Sequence, residues 1–115
     1  MRLKSEIWVK AYIRRCLSEG APAVVVRRGE RNGGAVFIKV NMLDGTVRLF
    51  GPAPAGLEPA ASERLWVRCL GNDNVQEADA DGYLQRQMEF DPDIWIVEVE
   101  DPEGRHFLDG ALSEY

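Results

Sequence analysis

Ala35-Val36-Phe37-Ile38-Lys39-Val40-Asn41-Met42 runs into Leu43-Asp44-Gly45-Thr46, and Val47-Arg48-Leu49-Phe50 follows. Apolar and polar residues alternate in pairs of opposite parity on either side of Asp44-Gly45, and that dipeptide is the preferred centre of a two-residue hairpin turn. Such a turn predicts Met42 opposite Val47, Val40 opposite Leu49, Asn41 opposite Arg48 and Lys39 opposite Phe50. In that register one side of the hairpin is aliphatic and the other mixes rings with cations. A slip of one residue would exchange the sides of one strand against the other.

Working outward, two further strands read at Ala23–Arg28 and Leu65–Leu70. Same-parity positions Val24, Val26, Val36, Ile38, Val40, Val47, Leu49, Leu65, Val67 and Cys69 form the expected core face. The pattern sets Val26 near Ile38, so the loop over Gly29–Gly34 is expected to be longer than a two-residue turn at Asn32-Gly33. A helix is predicted over Ser5–Ser18, with Val9, Tyr12, Ile13, Cys16 and Leu17 on one side and Gly20 as its stop. A second is predicted over Val75–Glu89, with Asn74 and Glu77 as a capping box. Ile94–Glu100 reads as a fifth strand of inner position, and Phe107-Leu108 as a short sixth. Gly51–Ala61 holds three of the six prolines and reads as an extended connector or a flap. The expected fold is therefore α+β, one domain over residues 1–115, in the order α-β-β-β-β-α-β. An antiparallel sheet of about five strands carries two helices on one face.

Composition narrows the chemistry. The chain has 115 residues, enough for a core without a disulfide or a structural metal. It has one histidine, His106, which excludes any site built on a histidine pair within one chain. Cys16 and Cys69 have no metal-ligand spacing and sit at apolar positions, so buried reduced thiols and a cytoplasmic location are expected, with no cofactor and no metal. No apolar run is long enough to span a membrane. The net charge is −5, divided as +6 over residues 1–70 and −11 over 71–115.

The candidate site is the mixed face of the sheet, with Phe37, Lys39, Asn41, Arg48, Phe50, Trp66 and Arg68, beside Arg27 and Arg64. Interleaved rings and cations suit a binding surface. The leading reading is a non-catalytic protein-interaction module whose partner is another protein or a second copy of the chain, a homodimer. The alternative is a nucleotide or single-stranded nucleic-acid binder, with rings stacking on bases and cations on phosphates; the acidic total charge weighs against it. A small enzyme centred on His106 with Asp101 or Asp109 lacks a nucleophile and an oxyanion donor in the sequence, so no catalytic residue is assigned. Arg28–Gly34 is basic and glycine-rich, but it leads into a strand, whereas phosphate-binding loops lead into a helix, so it reads as a connecting loop.

Five segments together resemble one bacterial family, domain of unknown function 1491. They are Leu3–Tyr12, Gly34–Asn41, Leu49–Pro54, Phe90–Trp95 and Val97–Asp101. The resemblance spans nearly the whole chain. It implies a small bacterial protein and carries over no activity, ligand or catalytic residue.

Overall fold

The computed structural model describes residues 3–54 and 64–108. The elements are α1 (Ser5–Ser18), β1 (Ala23–Arg27), β2 (Val36–Asn41), β3 (Thr46–Pro52), β4 (Trp66–Cys69), β5 (Val75–Gln76), α2 (Glu77–Phe90) and β6 (Trp95–Glu100). They form an α+β fold with one six-stranded mixed sheet, ordered β1-β6-β2-β3-β4, with β5 paired to β3. All pairs are antiparallel except β2 with β6. The antiparallel five-strand sheet expected from the sequence is thus corrected to six strands with one parallel pair.

That parallel pair arises because β6 enters between β1 and β2. The two were expected to lie side by side; they are spread apart, each bonded to β6. The Arg28–Gly34 loop therefore arches over the start of β6 and is sewn to it. Glu30 N–H donates to the Asp93 carbonyl at 2.9 Å, and the Trp95 indole N–H donates to the Glu30 carbonyl at 2.7 Å. A Cβ at Gly29 or Gly34 would overlap the Asp93 carbonyl, which explains why those two positions are glycine.

The second correction is register. β2 pairs with β3 as Ile38↔Phe50, Lys39↔Leu49, Val40↔Arg48 and Asn41↔Val47, one residue away from the expected pairing. The turn holds three residues, not two. Met42 N–H donates to the Thr46 carbonyl, and Leu43 and Gly45 both take positive φ, at 65° and 90°. Side-chain oxygens hold it there: Asn41 accepts from Leu43 N–H at 2.8 Å and Asp44 from Thr46 N–H at 2.9 Å.

One residue of slip exchanges the faces of β3. Val36, Ile38, Val40, Phe50, Trp66, Trp95, Val97 and Val99 share one side with Val9, Tyr12 and Cys16 of α1. Phe37, Val47, Leu49 and Ile96 share the other with Ala80 and Leu84 of α2. The helices therefore cover opposite faces, where both were expected on one. Burying both faces is worth about 1.5–3 kcal/mol for each large apolar side chain, so the sheet gains two cores where the sequence reading counted one.

Both helices form at nearly the expected bounds. Gly20, at φ 83°, ends α1, with Ala21 N–H closing back on the Cys16 carbonyl at 2.9 Å. Ser5, expected as the cap, lies inside the helix and donates its hydroxyl to the Gly34 carbonyl at 2.6 Å. The expected capping box of α2 is absent: Gln76 is the cap residue without a side-chain bond, and Asn74 is engaged by Arg48. Phe107 and Leu108 form no strand and pack in the α1 core. Gly51 and Pro52 belong to β3, and residues 55–61 of the expected connector lie outside the described residues. No described helix is long and apolar enough to cross a membrane.

Candidate functional site

The mixed face drawn from the sequence does not form. Phe37, Lys39 and Asn41 lie on the α2 side of the sheet, while Arg48, Phe50, Trp66 and Arg68 lie on the α1 side. The physical reason is the three-residue turn described above. The rings are also covered by the chain itself: Phe37 is 5% exposed, Phe50 1% and Trp66 2%. Trp66 tilts against Trp8 of α1 at 5.0 Å between centroids, and Phe37 meets Tyr83 of α2 edge-on at 6.4 Å. None of the three rings is open to a stacked base, so the nucleic-acid alternative loses its stacking platform.

On the α2 side Lys39 is buried beneath the helix. Its Nζ donates to Glu77 at 2.7 Å and Asp81 at 2.9 Å, and Glu98 lies at 3.6 Å. Burial alone would lower its pKa; the bonds to Glu77 and Asp81 outweigh that and raise it. Asn41 donates to Glu98 at 3.1 Å. Lys39 thus joins the sheet to α2, while the half-buried Asn41 ties β2 to β6.

On the α1 side a different group assembles. Arg48 Nε donates to Asn74 Oδ1 at 2.7 Å, and one terminal nitrogen donates to the Gly104 carbonyl at 3.1 Å. Arg68 lies over the Phe50 ring, 5.8 Å from its centroid. His106 meets the same ring edge-on at 5.0 Å. Burial, then the charges of Arg68 and Arg48, hold the His106 imidazole below its ordinary pKa. Its Nδ1 accepts from Leu108 N–H at 2.9 Å, so the neutral ring carries its hydrogen on Nε2.

The dyad suggested by Asp101 and His106 is not made. Asp101 is taken by Arg105, from its backbone N–H at 2.7 Å and its Nε at 2.9 Å. The His106 carbonyl accepts from the Tyr12 hydroxyl at 2.6 Å. Asp109 lies outside the described residues. Among the described residues no group of three or more His, Cys, Asp or Glu is placed to hold a metal ion.

The surface that the sequence reading missed is the edge strand β1. Val24, Val25 and Val26 are 60%, 41% and 56% exposed. Among the described residues the strand pairs with β6 on one side only, and its register shifts between Val25 and Arg27. Parity assigns two of these valines, Val24 and Val26, to a core face. Their edge position follows from the insertion of β6, which nothing in β1 itself encodes.

The charges along this edge are polarised. Glu100 is exposed and binds the start of β1, its N–H donating to the Pro22 carbonyl at 2.8 Å. At the other end stand Arg27, which donates to the Ile94 carbonyl at 2.7 Å, and the exposed Arg28, which pairs with Glu6. The edge thus runs from an acidic end to a basic one.

Comparison with known proteins places this fold. The sequence profile described as Protein of unknown function (DUF1491) matches residues 3–109. The crystal structure of a DUF1491 family protein from Caulobacter crescentus CB15 is 42% identical, with a TM-score of 0.79 over 98% of this chain and 99% of that one. An NMR structure of a DUF1491 family protein from the same organism is 43% identical, with a TM-score of 0.79 over 98% of each chain. The solution structure of protein Atu0922 from A. tumefaciens is 36% identical, with a TM-score of 0.75 over 87% of this chain and 86% of that one. No curated protein matches the sequence. A profile match across nearly the full length, joined to the same fold at about two-fifths identity, establishes that the chain belongs to the DUF1491 family.

Proposed function

We propose that this chain is a single-domain, non-catalytic interaction module that pairs with a second copy of itself through the free edge of β1. The observation that carries the reading is the run Val24-Val25-Val26, exposed on a strand edge that is unpaired among the described residues. An apolar edge of this kind is a template for another strand, and soluble proteins usually blunt it with lysine, proline or a covering loop. Within the strand the devices present are the register shift and the charge of Arg27 at its end, and neither covers the three valines. A second copy suits it by charge. In an antiparallel, two-fold pairing the basic end with Arg27 and Arg28 of one copy lies along the acidic end with Glu100 of the other. The two free thiols, Cys16 buried and Cys69 half-buried, suit a reducing cytosol.

The test is sedimentation and light scattering across a concentration series, with Val24→Lys as the variant. The wild-type chain is expected to dimerise, and the variant to stay monomeric with an unchanged thermal melt, since Val24 is exposed in the single chain. A wild-type monomer at about 100 μM, a concentration where contacts of micromolar strength are saturated, would refute the reading.

A further inference from the structure

We infer that Arg48, Arg68 and His106 form an anion site that takes a phosphoryl group, at the end of the sheet remote from the β1 edge. Arg48 on β3 and Arg68 on β4 project from the same side of the sheet as Phe50, Arg68 directly across from that ring and Arg48 two residues before it. His106 reaches that ring from the segment after β6. Three nitrogen donors with two fixed positive charges are thereby gathered around one buried ring. Like charges held together oppose one another, and the arrangement is completed by a negative ligand.

The chain's own residues leave the site without its counter-charge. Neither arginine forms a salt bridge among the described residues. Asp73 acts on Arg68 only as a more distant charge and through its carbonyl, at a long 3.4 Å. Arg68 Nε is buried with no hydrogen-bond partner among the described residues. A buried donor left unsatisfied costs about 1–3 kcal/mol, so such atoms mark places where a ligand belongs. His106 directs its only neutral acceptor, Nδ1, to Leu108 N–H, which leaves Nε2–H as a donor.

The backbone makes room for the Arg48 guanidinium. Gly104 has φ 75°, and a Cβ there would stand 2.5 Å from Arg48 Nη1 and 3.0 Å from Met42 Sδ. The glycine lets Arg48 lie against the Gly104 carbonyl while its remaining N–H groups stay available. The ligand class follows from the donors. Guanidinium forks match phosphate geometry, whereas the covered Phe50 offers no ring for a base, so the site reads the phosphoryl group itself.

His106 is the single histidine, so its ring signals report the site without ambiguity. Inorganic phosphate and ribose 5-phosphate are titrated into labelled protein at fixed ionic strength, against chloride as the control. Either phosphate compound is expected to shift the His106 ring resonances saturably, with chloride inert. Response to inorganic phosphate alone identifies a free anion as the ligand; response to the sugar phosphate, alone or more tightly, identifies a carried phosphoryl group. Arg68→Gln and Arg48→Gln should each weaken binding by about tenfold or more, the worth of a charge-assisted hydrogen bond. Arg68→Lys, which keeps the charge and loses Nε, covers the case in which Arg68→Gln fails to fold. The exposed Arg14→Gln on α1 should bind as the wild type does. No saturable shift from either phosphate compound, or undiminished affinity in a folded Arg68 variant, overturns the inference.

Discussion

Truncating Phe50 to alanine separates the two possible registers of the β2–β3 hairpin. In the observed pairing Phe50 stands opposite Ile38 inside the α1 core, 1% exposed, with Arg68 and His106 packed on its ring. Deleting a buried phenyl ring costs about 3–5 kcal/mol, from lost transfer energy and the cavity left behind. In the register expected from Asp44-Gly45, Phe50 would lie on an open face, where a substitution changes stability by about 0.5 kcal/mol or less. The unfolding entropy of a 115-residue chain is about 0.24 kcal/mol/K, so the buried case predicts a melting temperature lower by about 12–20 °C. Thermal melts followed by circular dichroism, with urea titrations at 25 °C for the free energy, measure both quantities. Phe50→Leu should recover more than half of the loss, because a large apolar side chain still fills the site. A melt within 2–3 °C of wild type, about what a surface change gives, would refute the two-core packing.

Stability should fall under alkali. Burial raises the Tyr12 pKa and pushes Tyr83 up to about 12, while Lys39 is raised by Glu77 and Asp81 against the effect of its own burial. For all three the folded state favours the protonated form, so their contribution is complete below the unfolded values, near 10.0 for tyrosine and 10.5 for lysine. It is lost as pH climbs through the raised folded values. Urea midpoints that hold flat between pH 8 and 11.5 would contradict this. Glycines should divide into two classes. Gly34→Ala forces a Cβ into the Asp93 carbonyl and should loosen the junction of the Arg28–Gly34 loop with β6, with a melt lower by well over 10 °C. Gly20→Ala meets no atom within 4 Å and should cost only the left-handed backbone term of about 1–2 kcal/mol. Equal losses in the two variants would mean that the close approach at Gly34 is not what requires glycine.

Local signals in the sequence located the elements and failed to place them. The helical spacing of Val9, Tyr12 and Cys16 gave α1 at its observed bounds, and all three are buried. Leu17, on the same apolar stripe, is exposed, while its neighbour Cys16 is fully buried. Asp44-Gly45 marked the turn correctly and its length wrongly, since Leu43 accepts a left-handed backbone that its residue type disfavours. The side-chain bonds from Asn41 and Asp44 that hold this turn were legible only as residue types. Parity misled in β2 for a further reason. A strand with helices on both sides buries both of its faces, so Phe37 and Lys39 alternate with aliphatics without pointing at water. Lys39 reads as a surface cation until the carboxylates of α2 are set above it. The candidate face was an artefact of that single-sided picture. The valine edge and the Arg48, Arg68 and His106 group both depend on where β6 and the segment after it return, which are long-range facts.

The late strand at the middle of the sheet also dictates when the protein can fold. β1 and β2 are made early, yet each waits for residues 95–100 to lie between them. During synthesis the first ninety residues have no complete hydrogen-bonded path from β1 to the rest of the sheet. Closure must therefore be a late, non-local event, of the kind that slows folding and leaves apolar strands uncovered meanwhile. A nascent chain halted before Trp95 would present Val24–Val26 with no partner strand and leave one edge of the β2–β3 hairpin uncovered.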